Sequence, residues 1–148
     1  MIRLIVPAPP SVNELFRNHG NRRVRTKKYN DWISECTWRI KLQHQGTMQG
    51  RYIILLAVER KSLAADQDNT VKPLIDILVK TKVIRDDKYV TASAVSWLPA
   101  PDTKACKAVI SVYPSGPLKV EYVPSPDDAF GGWIAETQED EPNDAIDS

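Results

Sequence analysis

The stretch Asp66-Gln-Asp-Asn-Thr-Val-Lys-Pro-Leu-Ile-Asp76, followed ten residues later by Asp86-Asp87, decides how the rest of this 148-residue chain is read. Val71, Leu74, Ile75 and Leu78 recur at i, i+3, i+4 and i+7, the spacing of one buried helix face. Lys72, Asp76 and Lys80 share another face at i+4 spacing. Pro73 suits a first turn, where its missing N–H has no intrahelical partner. The helix is therefore expected to begin near Asp68 or Asn69 and to run over 69–81. Asp66 and Asp68 then stand at its mouth.

Two carboxylates about 4 Å apart repel by about 4 kcal/mol at an effective dielectric near 20. Three converging acids therefore need a cation or must bind protons. Oxygen-only ligands favour Mg²⁺ or Mn²⁺ over zinc, and Mg²⁺ keeps several waters, which leaves room for a phosphate oxygen. Such a site suits phosphodiester hydrolysis. Lys72, one turn into the helix, can direct its ammonium at a scissile phosphate. An EF-hand is excluded, because the glycine it needs would fall at Val71 and its bidentate glutamate at Ile77. Spacing alone leaves a capping alternative open: Asp68 or Asn69 as N-cap, Lys72 and Asp76 as an ion pair, Asp86-Asp87 as a turn.

Charge supports the chemical reading. The formal net charge is only +1, yet residues 1–119 hold all 20 Lys and Arg with 10 of the 19 acids, a balance of +10. Residues 120–148 hold the other 9 acids and no base. A basic body suits a polyanionic partner, since neutralising phosphates releases counterions. From Arg17 to Lys28 there are six Lys or Arg plus His19, without helical periodicity; this reads as an exposed basic loop and a candidate phosphate-gripping arm.

Other stretches complete the outline. Ile2 to Val6 reads as a strand ended by Pro7-Ala8-Pro9-Pro10. Thr26 is a plausible N-cap for a helix over 27–45, whose stripe of Tyr29, Trp32, Ile33, Cys36 and Ile40 is expected to be core rather than a base-stacking surface. Tyr52 to Val58 reads as a central strand, with Tyr89–Trp97, Ala105–Tyr113 and Leu118–Val123 as further strands. Cys36 and Cys106 are expected to be reduced structural thiols. No apolar run approaches the ~20 residues of a membrane span, and no signal peptide is evident, so a cytoplasmic protein is expected.

The division expected is a domain over 1–122 and an acidic tail over 123–148, disordered from Pro124 because so few apolar residues cannot offset the ordering entropy. Phe130-Gly-Gly-Trp133-Ile134 stands out within it. That apolar knot can dock a partner protein or fold back onto the basic body.

The chain resembles the RusA-type Holliday-junction resolvases common on phages and prophages. The resemblance rests on Pro9-Pro10-Ser11-Val12-Asn13, the basic loop with Tyr29-x-x-Trp32, Asp66-x-Asp68-Asn69-x-x-Lys72-x-x-x-Asp76, and Asp86-Asp87-x-x-Val90, spanning residues 7 to about 113. It implies a small homodimeric endonuclease that uses Mg²⁺ to place paired nicks across a four-way DNA junction, in recombination and repair. By similarity Asp66, Asp68 and Asp87 hold the metal and Lys72 is the catalytic lysine. Asp76, Asp86 and Asn69 are supporting residues, with Asp76 read as partner to Lys72. Asn13, Arg17, Arg22, Arg23, Arg25, Lys27 and Lys28 form the expected DNA-binding set. A two-fold dimer suits a junction of approximate two-fold symmetry.

The expected architecture is α/β (α+β), one domain with a mixed sheet and two main helices. Two other classes stay open: a non-catalytic branched-DNA-binding protein, and an interaction protein acting through its tail.

Overall fold

In a computed structural model of the chain, residues 1–60, 67–102, 105–127 and 130–137 are described, with the side chains of Val12, Gln67 and Asp68 outside that description. The elements in chain order are β1 (Ile2–Pro7), β2 (Phe16–His19), β3 (Arg22–Arg25), α1 (Lys27–Gln43), β4 (Tyr52–Arg60), α2 (Gln67–Lys80), β5 (Val90–Pro99), β6 (Lys107–Pro114), β7 (Leu118–Pro124) and β8 (Gly131–Thr137). Short 3-10 turns at Val12–Glu14 and Asp87–Tyr89 complete it. This is the mixed-sheet α+β arrangement expected, organised on a four-stranded sheet of order β1-β6-β4-β5.

Strand β4 takes the centre because it is apolar on both faces. Tyr52, Ile54 and Leu56 are fully buried on one side and Leu55 is buried on the other. It pairs antiparallel with β6 and parallel with β5. A parallel neighbour requires a crossover, and α2 lies within that connection. The main core joins Leu56 and Ile110 of the sheet to Ile33, Cys36 and Ile40 of α1 and to Leu74, Ile77 and Leu78 of α2.

The expected α1 forms with its predicted stripe buried. Thr26 caps it, its hydroxyl oxygen accepting the Tyr29 N–H at 3.1 Å. Near its other end Gln43 accepts the Ile5 N–H at 2.8 Å and donates to the Ile5 carbonyl at 2.7 Å. The side chain thereby occupies the open edge of β1, where a bare strand would invite pairing with another chain.

In α2 the structure departs from expectation twice. The helix starts at Gln67, so Pro73 lies inside it rather than in the first turn. Its ring removes one i→i−4 bond, a cost of about 3 kcal/mol in an exposed helix, and burial of Leu74, Ile77 and Leu78 works against that cost. Ile77 replaces Val71 and Ile75 on the most buried face; those two are only partly buried. A Schellman motif closes the helix: Val83 N–H bonds the Leu78 carbonyl at 3.0 Å and Lys82 N–H the Val79 carbonyl at 3.1 Å.

Two further expectations are corrected. The basic segment is a β-hairpin, not a loop: β2 and β3 pair antiparallel around Gly20-Asn21, with Gly20 at φ 64°. Nor does the ordered chain stop near residue 123. Strand β8 pairs with β7 in a separate two-stranded sheet and lies against β5 and β4. The Trp133 indole N–H donates to the Leu56 carbonyl at 3.0 Å, so the apolar knot folds back onto the body. Disorder expected for residues 131–137 is thus overturned by apolar burial that hydropathy averaged over the acidic tail conceals. The remainder, 138–148, lies outside the described residues. Among the described residues no helix is long and apolar enough to cross a membrane.

Candidate active site

Helix α2 presents Lys72 and Asp76 one turn apart, and the loop after it returns the chain so that Asp87 faces them. Val71, Lys72, Ile75, Asp76, Asp87 and Val90 line one open cleft of about 320 Å³. The half-burial of Val71 and Ile75 has its explanation here, because they form the apolar floor between charged walls.

The Lys72 ammonium lies 3.8 Å from the Asp76 carboxylate, the i+4 pairing expected from sequence. Lys72 is largely exposed. An exposed pair of this kind is worth about 0.3–0.5 kcal/mol, so Asp76 aims the ammonium without withholding it from another anion.

Asp86 and Asp87 stand side by side in that loop. A hydrogen bond between the two carboxyls pushes Asp87 up from the usual carboxylate range, with some loss of hydration and the charges of Asp86 and Asp76 acting in the same direction and Lys72 opposing. The same hydrogen bond, with the Lys88 N–H that Asp86 accepts at 3.2 Å, holds Asp86 down. A carboxylate crowded by neighbouring negative charge is one whose ionised form a cation would favour.

The loop carrying these acids is fastened from several directions. Thr47 donates to the Lys82 carbonyl at 2.6 Å, Met48 N–H to the Val83 carbonyl at 2.9 Å, and Arg85 N–H to the Tyr52 hydroxyl at 3.1 Å. Asp86 caps the 3-10 turn Asp87–Tyr89. Its supporting position, not a place in the cleft lining, is what the geometry gives it.

Of the other expected site residues, Asp66 lies outside the described residues. Asp68 falls in the first turn of α2, with its side chain outside them. Asn69 is in the same first turn. Among the described residues no group of three His, Cys, Asp or Glu converges to hold a metal.

The basic hairpin is linked to this cleft through Tyr29, whose phenol feels both Arg25 and Asp76. Arg17, Arg22, Arg23 and Arg25 are all exposed on β2 and β3, and Asn13 is exposed on the 3-10 turn before them. Arg23 lies over the Phe16 ring at 4.2 Å and Arg25 over the Tyr29 ring at 5.7 Å, while Phe16 meets Tyr29 edge-on at 5.6 Å. Tyr29 is buried, and its phenol is pushed up first by burial and then by the charge of Asp76, with Arg25 opposing. Tyr29 thus sits between the arm and the acids, a link that helical spacing alone does not disclose. Lys27 and Lys28 are exposed and carry ion pairs to Asp31 and Glu14, each 2.7 Å.

Comparison with known proteins agrees with the arrangement. No curated protein matches the chain. A family model described as endodeoxyribonuclease RusA matches residues 7–113, which include the arm, α1, α2, the acid pair and the strands β4 to β6. With that match over most of its length, the chain belongs to the RusA endodeoxyribonuclease family.

Proposed function

We propose that this nuclease is a Mg²⁺-dependent, structure-selective enzyme that resolves four-way (Holliday) DNA junctions by paired symmetric nicks, in recombination and repair. The observation that carries the proposal is the shared cleft of Lys72, Asp76 and Asp87, in a chain that also presents an exposed arginine-rich hairpin. Acids that attract a cation and an arm that attracts phosphate have one joint use on DNA.

Asp66, Asp68 and Asp87 are the ligands proposed for Mg²⁺, with Mn²⁺ as a substitute. The raised Asp87 carboxyl beside Asp86 and Asp76 fits a cation-binding role. When bound, the metal supplies an activated water and a polarised phosphoryl oxygen. Lys72 places positive charge where a phosphate gains negative charge, and Asp76 keeps that ammonium over the cleft. Asp86 fixes the turn that carries Asp87, and Asn69 braces the first turn of α2. Asn13, Arg17, Arg22, Arg23, Arg25, Lys27 and Lys28 grip the backbone of the arms.

The remaining parts of the reading concern assembly and setting. A homodimer presents two equivalent sites to two strands of a junction with approximate two-fold symmetry. The acidic segment after β8 competes with DNA for the basic body or docks a partner protein. The enzyme acts in the cytoplasm of a bacterium or of a phage-infected host.

The test is a pair of isosteric substitutions that each remove one carboxylate charge. Asp68→Asn and Asp87→Asn should each abolish Mg²⁺-dependent nicking of a synthetic junction while retaining junction binding. Nicking by both variants at the wild-type rate rejects the ligand assignment.

A further inference from the structure

Two cations flank the acid pair on its own loop, and neither is closed into an ion pair with it. Arg85 and Lys88 are exposed on either side of Asp86-Asp87. Neither forms an ion pair with a carboxylate among the described residues. Both are instead gathered on one aromatic ring. The Arg85 guanidinium lies over Tyr89 at 4.6 Å and donates to its hydroxyl at 2.5 Å, and the Lys88 ammonium stands 5.2 Å from the ring centre.

This gathering is built into the backbone. Arg85 N–H is tied to the hydroxyl of Tyr52, a fully buried residue of the central strand. The 3-10 turn capped by Asp86 then sets Lys88 and Tyr89 beside it. Tyr89 itself packs against the core with part of its surface. Rotamer entropy that two long free side chains would lose on binding an anion is thereby lowered in advance, and a guanidinium with a planar fork is suited to phosphate oxygens. The hairpin arm, by contrast, carries its arginines over Phe16 and Tyr29.

We propose that Arg85 and Lys88, carried on Tyr89, form a clamp for a backbone phosphate of the DNA strand held at Asp87, separate from the contacts of the hairpin arm. The clamp positions the strand; it does no chemistry. Its purpose rests on the nuclease reading above, whereas its contact with phosphate does not.

The experiment measures binding of a fluorescent four-way junction in EDTA across a salt series, where no cleavage is required. Each phosphate contact contributes about 0.9 to the slope of log affinity against log salt. Arg85→Gln/Lys88→Gln should therefore make the slope shallower by about 0.9, which shrinks the affinity change between 50 and 200 mM salt by about 3.5-fold. The charge-preserving Arg85→Lys/Lys88→Arg should keep the wild-type slope. Arg3→Gln/Lys41→Gln, which removes two exposed cations from β1 and α1, should keep it also.

An unchanged slope in Arg85→Gln/Lys88→Gln overturns the clamp. So does an equal loss in the Arg3/Lys41 control, which would mark a general charge effect, or in the charge-preserving variant, which would mark a folding effect. Thermal melting of all four proteins confirms that folded chains are compared. Failure of the wild type to nick the junction in Mg²⁺ contradicts the nuclease reading and leaves the slope comparison standing.

Discussion

The hydroxyl of Tyr52 accepts the backbone N–H of Arg85 at 3.1 Å, joining a fully buried residue of the central strand to the loop that carries Asp86 and Asp87. Tyr52 is thus a positioning residue, reaching the cleft through the backbone. Tyr52→Phe leaves the ring packing intact and the Arg85 N–H without that acceptor, at a cost of about 1 kcal/mol in urea unfolding. Junction binding should survive, while single-turnover nicking slows severalfold as Asp87 loses its fixed place. Wild-type nicking in Tyr52→Phe would separate the hydrogen bond from the site.

Lys82 occupies the left-handed position after α2, with φ 61°, where glycine is the usual residue. Lys82→Gly relieves a strain of about 1 kcal/mol, partly offset by the greater freedom that glycine gives the unfolded chain. A net stabilisation of about 0.5 kcal/mol is expected from those two effects, read as a higher urea midpoint with unchanged slope. Destabilisation would mean that the lysine side chain contributes more than its backbone costs.

Gly131 and Gly132 give a matched pair at the start of β8. A Cβ at Gly131 would overlap the Tyr122 ring, whereas at Gly132 it meets open space. Gly131→Ala should therefore cost about 1 kcal/mol, as the half-exposed Tyr122 ring must swing aside, while Gly132→Ala should be close to neutral. Equal behaviour of the two variants would contradict the packing of Tyr122 across β8.

Burial pushes the Cys36 thiol up to about 12, with the Glu35 charge adding to the effect and Arg39 opposing it. As the thiolate is the reactive form, Cys36 should resist thiol reagents at pH 8 in the folded protein. Cys106, half-buried, should react first. In denaturant both should react at similar rates; rapid labelling of two thiols in the native protein would contradict the burial of Cys36.

The parts legible in the sequence are those where one local signal dominates. The stripe from Tyr29 to Ile40 specifies α1 because every apolar position also meets the core, and the Tyr52–Val58 run specifies a central strand because both faces are apolar. Where two signals compete, the reading shifts. Pro73 argued for a later start to α2, but buried Leu74, Ile77 and Leu78 extend beyond that local rule. Arginines in β2 and β3 mask a hairpin whose trace is the two-residue turn Gly20-Asn21 between Phe16 and Val24. Acidic neighbours likewise mask β8, whose trace is Trp133 spaced to pair with Tyr122.

For the candidate site, the i+4 spacing discloses the Lys72–Asp76 pair directly. The approach of Asp87 to that pair depends on the Schellman turn and on hydrogen bonds donated by Thr47 and Met48 and accepted by Tyr52, which no spacing rule contains. Tyr29 as a neighbour of both Arg25 and Asp76 is likewise a product of tertiary packing.

The most direct test of the whole account is incubation of the purified protein with a synthetic four-way junction and a matching linear duplex, each in Mg²⁺ and in EDTA, with strands resolved on a denaturing gel. Paired symmetric nicks in the junction alone, present in Mg²⁺ and absent in EDTA, are the predicted result. Tight junction binding with no cleavage in either condition would contradict it, and would return Asp87 and Lys72 to roles in capping and charge balance.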